Sequence, residues 1–193
     1  MSHGRGSMVL SAFTWLVVGC GPTAETVHEV DVSSQLPPAP ASLTELAANI
    51  RSEDGTVFVG SITADMSIVP ERAPSGPDVG LYLSYPRTQA TVSVTDALGG
   101  DVGSTTDVIA TDGPPVVVDE AGTVQTNWSV SGINPSLWEH RWMPGAGSHV
   151  FFVTPSLDGP VLRWAARVEG GVAEGDGTVD GADTSLDALR VSP

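Results

Sequence analysis

The sequence predicts an all-β fold, an antiparallel β-sandwich with one short helix near its N-terminus. Three observations carry this. From residue 57 onward, apolar residues recur with a period of two rather than 3.6. Turn clusters rich in Gly, Pro and Asp (PERAPSGPD, YPR, GGDVG, TDGPP, PGAGS, LDGP, EGG) cut the chain into short runs. Little chain remains between those runs for crossover helices, which argues against a parallel α/β sheet.

The helix comes first. Ser42, Leu43, Thr44 and Glu45 match a capping box, with Ser42 as N-cap and Glu45 three residues on. Leu43, Leu46, Ala47 and Ile50 follow at helical spacing, so a helix is predicted over 43–51, stopped by the Glu53-Asp54-Gly55 turn. The period then changes. In 57–69 the even positions are Phe58, Gly60, Ile62, Ala64, Met66 and Ile68, against Ser61, Thr63, Asp65 and Ser67. This predicts a half-buried strand, bent at Gly60. Further strands are predicted at 79–85, 91–98, 105–110, 115–119, 123–131, 149–154, 161–169 and 185–191. Trp128 alternates with Val124 and Val130. Leu162, Trp164, Ala166 and Val168 form one apolar face, opposed by Arg163, Arg167 and Glu169. The ending LDALRVSP resembles the last strand of jelly-roll modules, so the sandwich is expected to be jelly-roll-like.

The chain has 193 residues, 40% apolar and 16% charged, the composition of a globular domain plus a tail. A domain of about 150 residues buries roughly 68–70% of its unfolded surface and needs no disulfide or metal to stand. All eight basic residues are arginine, and the formal charge is −15. Such a surface repels phosphate backbones, which argues against a nucleic-acid partner.

The N-terminus carries an address. Residues 1–7 are polar and include Arg5, and residues 8–18 read MVLSAFTWLVV. That is a charged segment followed by an apolar run of signal-peptide length. A membrane-spanning helix needs about 20 apolar residues, more than this run supplies. The run ends Val17-Val18-Gly19-Cys20, and Cys20 is the single cysteine. This stretch resembles the lipobox of bacterial lipoproteins. The resemblance implies cleavage between Gly19 and Cys20, a diacylglyceryl group on the Cys20 thiol, and a membrane held through that lipid. Acylation would also remove a reactive thiol that an exported protein otherwise exposes. Gly21 at the second mature position implies the outer membrane over the inner where a cell has both. The expected organisation is a signal peptide at 1–19, a lipidated Pro-rich tether at 20–41 and a β-sandwich at 42–193. The tether reading rests on Pro37, Pro38 and Pro40, which favour extended chain, with the alternative that Val27, Val30 and Val32 make part of the segment a first strand.

Two stretches could carry chemistry. VAEGDGTVDGAD at 172–183 resembles the calcium loop of dockerins and EF-hands. Glu174, Asp176, Asp180 and Asp183 fall at ligand positions, Gly177 at the sharp turn, and Val172 where the first Asp belongs. The competing reading is a polar hairpin loop, with no cofactor. The second stretch, NWSVSGINPSLWEHRW at 127–142, holds three of the five tryptophans. Trp138, Glu139, His140, Arg141 and Trp142 sit in a predicted loop. Exposed indoles there would stack on a glycan or anchor a protein partner. Alternatively they form a lid over the sandwich, with Arg141 stacked on an indole. The chain lacks a G-x-S-x-G elbow, a Walker or Rossmann glycine pattern, and His spacing for a metal.

Three functions stay open. The leading one is a lipid-anchored envelope protein presenting a non-enzymatic β-sandwich to a glycan or envelope protein. The second is a surface glycoside hydrolase using carboxylates near the Trp-rich loop. The third is a structural subunit of an envelope or secretion assembly, for which a long unprotected edge strand would be the mark.

Overall fold

The computed structural model describes residues 26–33, 38–73, 76–134 and 139–190. In chain order its elements are β1 (His28–Asp31), α1 (Leu43–Ser52), β2 (Thr56–Arg72), β3 (Leu81–Gly99), β4 (Thr105–Thr111), β5 (Val116–Asp119), β6 (Trp128–Ser131), β7 (His149–Thr154), β8 (Val161–Glu169), β9 (Val172–Ala173), β10 (Thr184–Ser185) and α2 (Leu186–Leu189). A 3-10 turn at Glu139–Arg141 stands between β6 and β7. The fold is all-β, dominated by one large, mostly antiparallel sheet that curls until its halves pack on each other like the layers of a sandwich, with the expected helix before it.

The predicted helix start is made as the capping box requires. Ser42 is extended, and its hydroxyl accepts from the Glu45 backbone N–H at 3.1 Å. Leu43, Ala47 and Ile50 form the buried stripe.

β2, β3 and β4 run as an antiparallel meander. β7 pairs with the other side of β2, and β8 pairs with β7. β8 also meets β4 in parallel at Val161 and Ile109. The sheet therefore closes on itself through β8 as a five-stranded Greek-key barrel, partly open between β4 and β8. Its interior holds Phe58, Val92, Val108, Ala110, Phe151, Val153, Leu162 and Ala165. Phe58 and Phe151 stack there with ring centroids 5.3 Å apart.

α1 and α2 cover the outer face of β2, β7 and β8. Leu43, Ala47, Ile50 and Leu189 pack on Val57, Val59, Phe152 and Trp164. Both faces of β7 are thus buried, which is why VFFVT shows no alternation. In β8 the register slips opposite Phe152 and Val153, so Leu162 packs inside the barrel while Trp164 and Ala166 pack outside with the helices. The single apolar face read from sequence is split by that bulge.

Other differences have local causes. The predicted strands 79–85 and 91–98 are one strand, β3, running through Pro86. The β2 register shifts between Ile68 and Glu71, opposite Pro86, so the missing proline N–H falls where the ladder is already broken. Within the predicted strand 123–131 only Trp128–Ser131 is regular; Val124 makes one bridge to Val118. The strand predicted at 185–191 begins as β10 but turns into α2, because the Ser185 hydroxyl accepts from the Ala188 N–H at 3.3 Å and starts a helical turn. Leu186 and Leu189, three apart, both pack against the outer core, the spacing of a helix. Residues 191–193 lie outside the described residues.

Part of the segment expected to be a tether is folded. β1 pairs in parallel with β6, and Val32 is buried with Leu83 and Val117 under Trp128 and Val130. Further on, the Pro40 and Ala41 carbonyls accept from the Val179 and Asp180 N–H groups, and Pro38 accepts from Arg141. The ordered domain thus begins before residue 42. The signal peptide, the cleavage site at Gly19 and Cys20, and Cys20 itself lie outside the described residues.

Candidate functional site

β2 outruns its partner. Thr56–Gly60 pair with β7, and Ser61–Arg72 continue with β3 alone. The departure occurs at Gly60, where the register shifts. A Cβ there would come within 2.6 Å of Val92 and 2.7 Å of the Ser93 carbonyl oxygen, so only glycine allows this close approach. Twelve residues at about 3.3 Å each give roughly 35–40 Å of strand that no other described strand covers on its outer side.

Two register shifts, at Ile62/Ala64 and Ile68/Glu71, bracket a regular run. Within it Ala64, Asp65, Met66, Ser67 and Ile68 face Thr91, Ala90, Gln89, Thr88 and Arg87 in unbroken register. Ala64 to Ser67 are all exposed, Met66 at 63%, and Val69 beyond them at 83%. Edge strands are usually guarded by lysine, proline or a covering element. Here the run carries one charge, Asp65, and no proline; Pro70 lies within the second bulge.

Beside the edge is a shallow depression of about 90 Å³, lined by Ala64, Asp65, Met66, Gln89 and Thr91. Gln89 donates to Asp107 at 3.2 Å and Thr91 donates to it at 2.8 Å, which fixes that carboxylate on the face of Ala64 and Met66, opposite to that of Asp65. Arg87 is shared between Asp158 at 3.4 Å and Glu71 at 4.0 Å. Small-molecule pockets usually enclose about 300–1,000 Å³, so this surface has the shape of a contact face and not of a cleft.

The Trp-rich stretch does different work. β4 and β8 share one bridge and then separate, and residues 139–143 enter the gap. Trp142 bridges Thr111 in parallel, and the Met143 N–H donates to the Thr111 carbonyl at 3.3 Å. On the β8 side, His140 Nδ1 donates to the Ala165 carbonyl at 3.2 Å. The His140 ring stacks on buried Trp164 at 4.7 Å and 11°. The Arg141 guanidinium lies 5.8 Å from the same ring, and burial together with nearby Arg163 holds its pKa below the ordinary arginine value. Of the candidate contact residues, His140, Arg141 and Trp142 are half-buried in this seam and Glu139 is exposed. Trp138 lies outside the described residues. The arrangement fits the lid reading, moved from the end of the sandwich to its side.

The acidic loop is closed by its own hydrogen bonds. Asp183 accepts from the Gly175 N–H at 3.0 Å and Asp176 from the Gly177 N–H at 3.0 Å. Asp180 accepts from the Thr178 hydroxyl and the Ala182 N–H. Glu174 is tied by its backbone N–H to the Arg167 carbonyl. Among the described residues no three acidic or histidine side chains converge as a metal site. Three of the four carboxylates, Asp176, Asp180 and Asp183, hold the turns of their own loop.

The bare edge of β2 has little mark in the sequence. Its signal is faint: SITADMSIV runs on with no turn residue after the neighbouring strand has ended. No protein-family model matches the chain, and no curated protein and no solved structure matches it.

Proposed function

We propose that this chain is a bacterial envelope lipoprotein, held by lipid on Cys20, whose β domain binds a protein partner without catalysing a reaction. One observation carries the binding part: β2 leaves the barrel and offers the bare run Ala64–Ile68 for strand addition. Backbone groups on such an edge pair with another chain as readily as with a neighbour in the sheet. The lipobox resemblance at Val17–Cys20 supports the address, and two acyl chains give stable attachment where one is marginal.

The same geometry favours a protein over a glycan. Sugar rings need exposed indoles. Among the described tryptophans, Trp164 is buried and stacked under His140, while Trp128 and Trp142 are half-buried against the fold. The hydrolase reading asks for a cleft lined by carboxylates, and Asp176, Asp180 and Asp183 are engaged in the turns of their own loop.

The test is a photo-crosslinking residue at Met66 in the native envelope, with Val179, exposed on the acidic loop, as control. The proposal expects a discrete protein adduct from position 66 and none from 179. Equal labelling at both positions, or none at 66, counts against it.

A further inference from the structure

Resting on that reading, we infer that the partner presents an extended segment carrying a lysine or arginine opposite Asp65. Three occupants of the edge come into question: a second copy of this chain, a neutral strand and a cationic strand. Charge separates them.

A second copy would pair antiparallel, β2 against β2. Side chains directly opposite share a face, so the two Asp65 residues come to lie opposite or diagonal in any register that pairs most of Ala64–Ile68. Like charges so placed in a sheet are destabilising. Each copy also carries a formal charge of −15, so the pair would assemble against its own field. Asp65 thus guards the edge against the chain itself.

A cationic strand meets the opposite situation. Asp65 is exposed on the outer strand and is the one charge of the run. It lies across from Ala90 and Val108, on the face opposite that of Asp107, so the charge an added strand meets there is that of Asp65 alone. The depression lined by Ala64, Met66, Gln89 and Thr91 lies on the other face, where it meets the neighbours of that cation on the added strand and not the cation itself. Arg87 is already neutralised by Glu71 and Asp158, so it does not oppose the incoming charge. Main-chain pairing then supplies affinity, and Asp65 selects the sign.

The experiment uses the full chain and two synthetic probes. Each is a nine-residue peptide of alternating threonine and valine, N-methylated along one edge so that it adds as a single strand. One has lysine at its centre and the other glutamate. Backbone hydrogen exchange over Ala64–Ile68 is the readout. The lysine peptide is expected to slow exchange there, and the glutamate peptide to bind about five- to thirtyfold more weakly. Asp65→Lys, an exposed change that leaves the core untouched, is expected to invert the preference. Equal protection by both peptides overturns the charge inference and leaves the proposed function standing. Protection by neither overturns both. Protection that grows with protein concentration and needs no peptide assigns the edge to a second copy and overturns the cationic partner.

Discussion

Replacing His140 with alanine removes the strut that holds residues 139–143 against β8. The wild-type imidazole makes two interactions there, a stack on Trp164 at 4.7 Å and a hydrogen bond to the Ala165 carbonyl at 3.2 Å. A stacked aromatic pair contributes about 0.5–1.5 kcal/mol beyond its buried area. A typical hydrogen bond contributes about 0.5–1.5 kcal/mol net. Because His140 is half-buried, water recovers part of the loss, and a destabilisation of about 2 kcal/mol is expected. For a chain of this size each kcal/mol moves Tm by about 2–4 °C, so the variant should melt about 4–8 °C lower. The control is His28→Ala. His28 stacks on Trp128 at a similar 4.9 Å, but it is exposed. Its loss should move Tm by no more than about 2 °C. The assay is thermal denaturation by circular dichroism at fixed pH. If the two variants melt together, or if His140→Ala melts with the wild type, residues 139–143 do not close the seam and the assignment of the Trp-rich stretch to structure falls.

Three further outcomes are expected. Cys20→Ser should move the protein from the membrane to the soluble envelope fraction, and the N-terminal peptide of the native protein should begin at Cys20 and carry a diacylglyceryl group, with or without one more acyl chain; a membrane-bound variant removes the anchor from the account. Millimolar calcium, the range of weak extracellular sites, should leave Tm unchanged because Asp176, Asp180 and Asp183 already serve their own loop; a clear rise in Tm would show an ion site there. Burial pushes the His149 pKa below its usual 6.5, opposed only in part by the Gly147 backbone and Glu174, with Arg167 adding to the shift. The unfolded chain therefore binds the proton first, so this contribution is full above about pH 6.5 and is lost as pH falls toward the lower folded value. His149→Gln should flatten that part of the profile of denaturation midpoint against pH, and an unchanged slope would contradict the assignment.

Much of the fold is legible in the sequence because local signals agree with it. The capping box at Ser42 and Glu45 makes the cap it predicts, and 149–154 and 161–169 are strands at the residues predicted. What stays hidden depends on contacts far apart in the chain. Periodicity reports how many faces of a strand are buried, and not which strand lies beside it, so closure through the Ile109 and Val161 bridge has no sequence mark. β1 is only faintly marked, by Val27, Val30 and Val32. Its short run HEVD is polar at most positions, and it is ordered by pairing with Trp128–Ser131, about a hundred residues on. Proline at 86 reads as a break because the bulge that accommodates it sits on the opposite strand. The candidate site is hardest of all. An edge is defined by the neighbour it lacks, and residues such as Thr63, Ala64 and Ser67 look alike in a covered strand and a bare one. The tryptophans, by contrast, draw attention by type, yet Trp164 and Trp142 turn out to close the seam.

The bare edge of β2 carries the account, and amide exchange over Ala64–Ile68 tests it most directly when measured twice, once in native envelope vesicles and once after purification in detergent. Slow exchange in the vesicles that becomes fast on purification, with the barrel strands β7 and β8 protected in both, is the predicted result. Equally fast exchange in both would mean that nothing docks on the edge in the envelope, and the proposed function would be wrong.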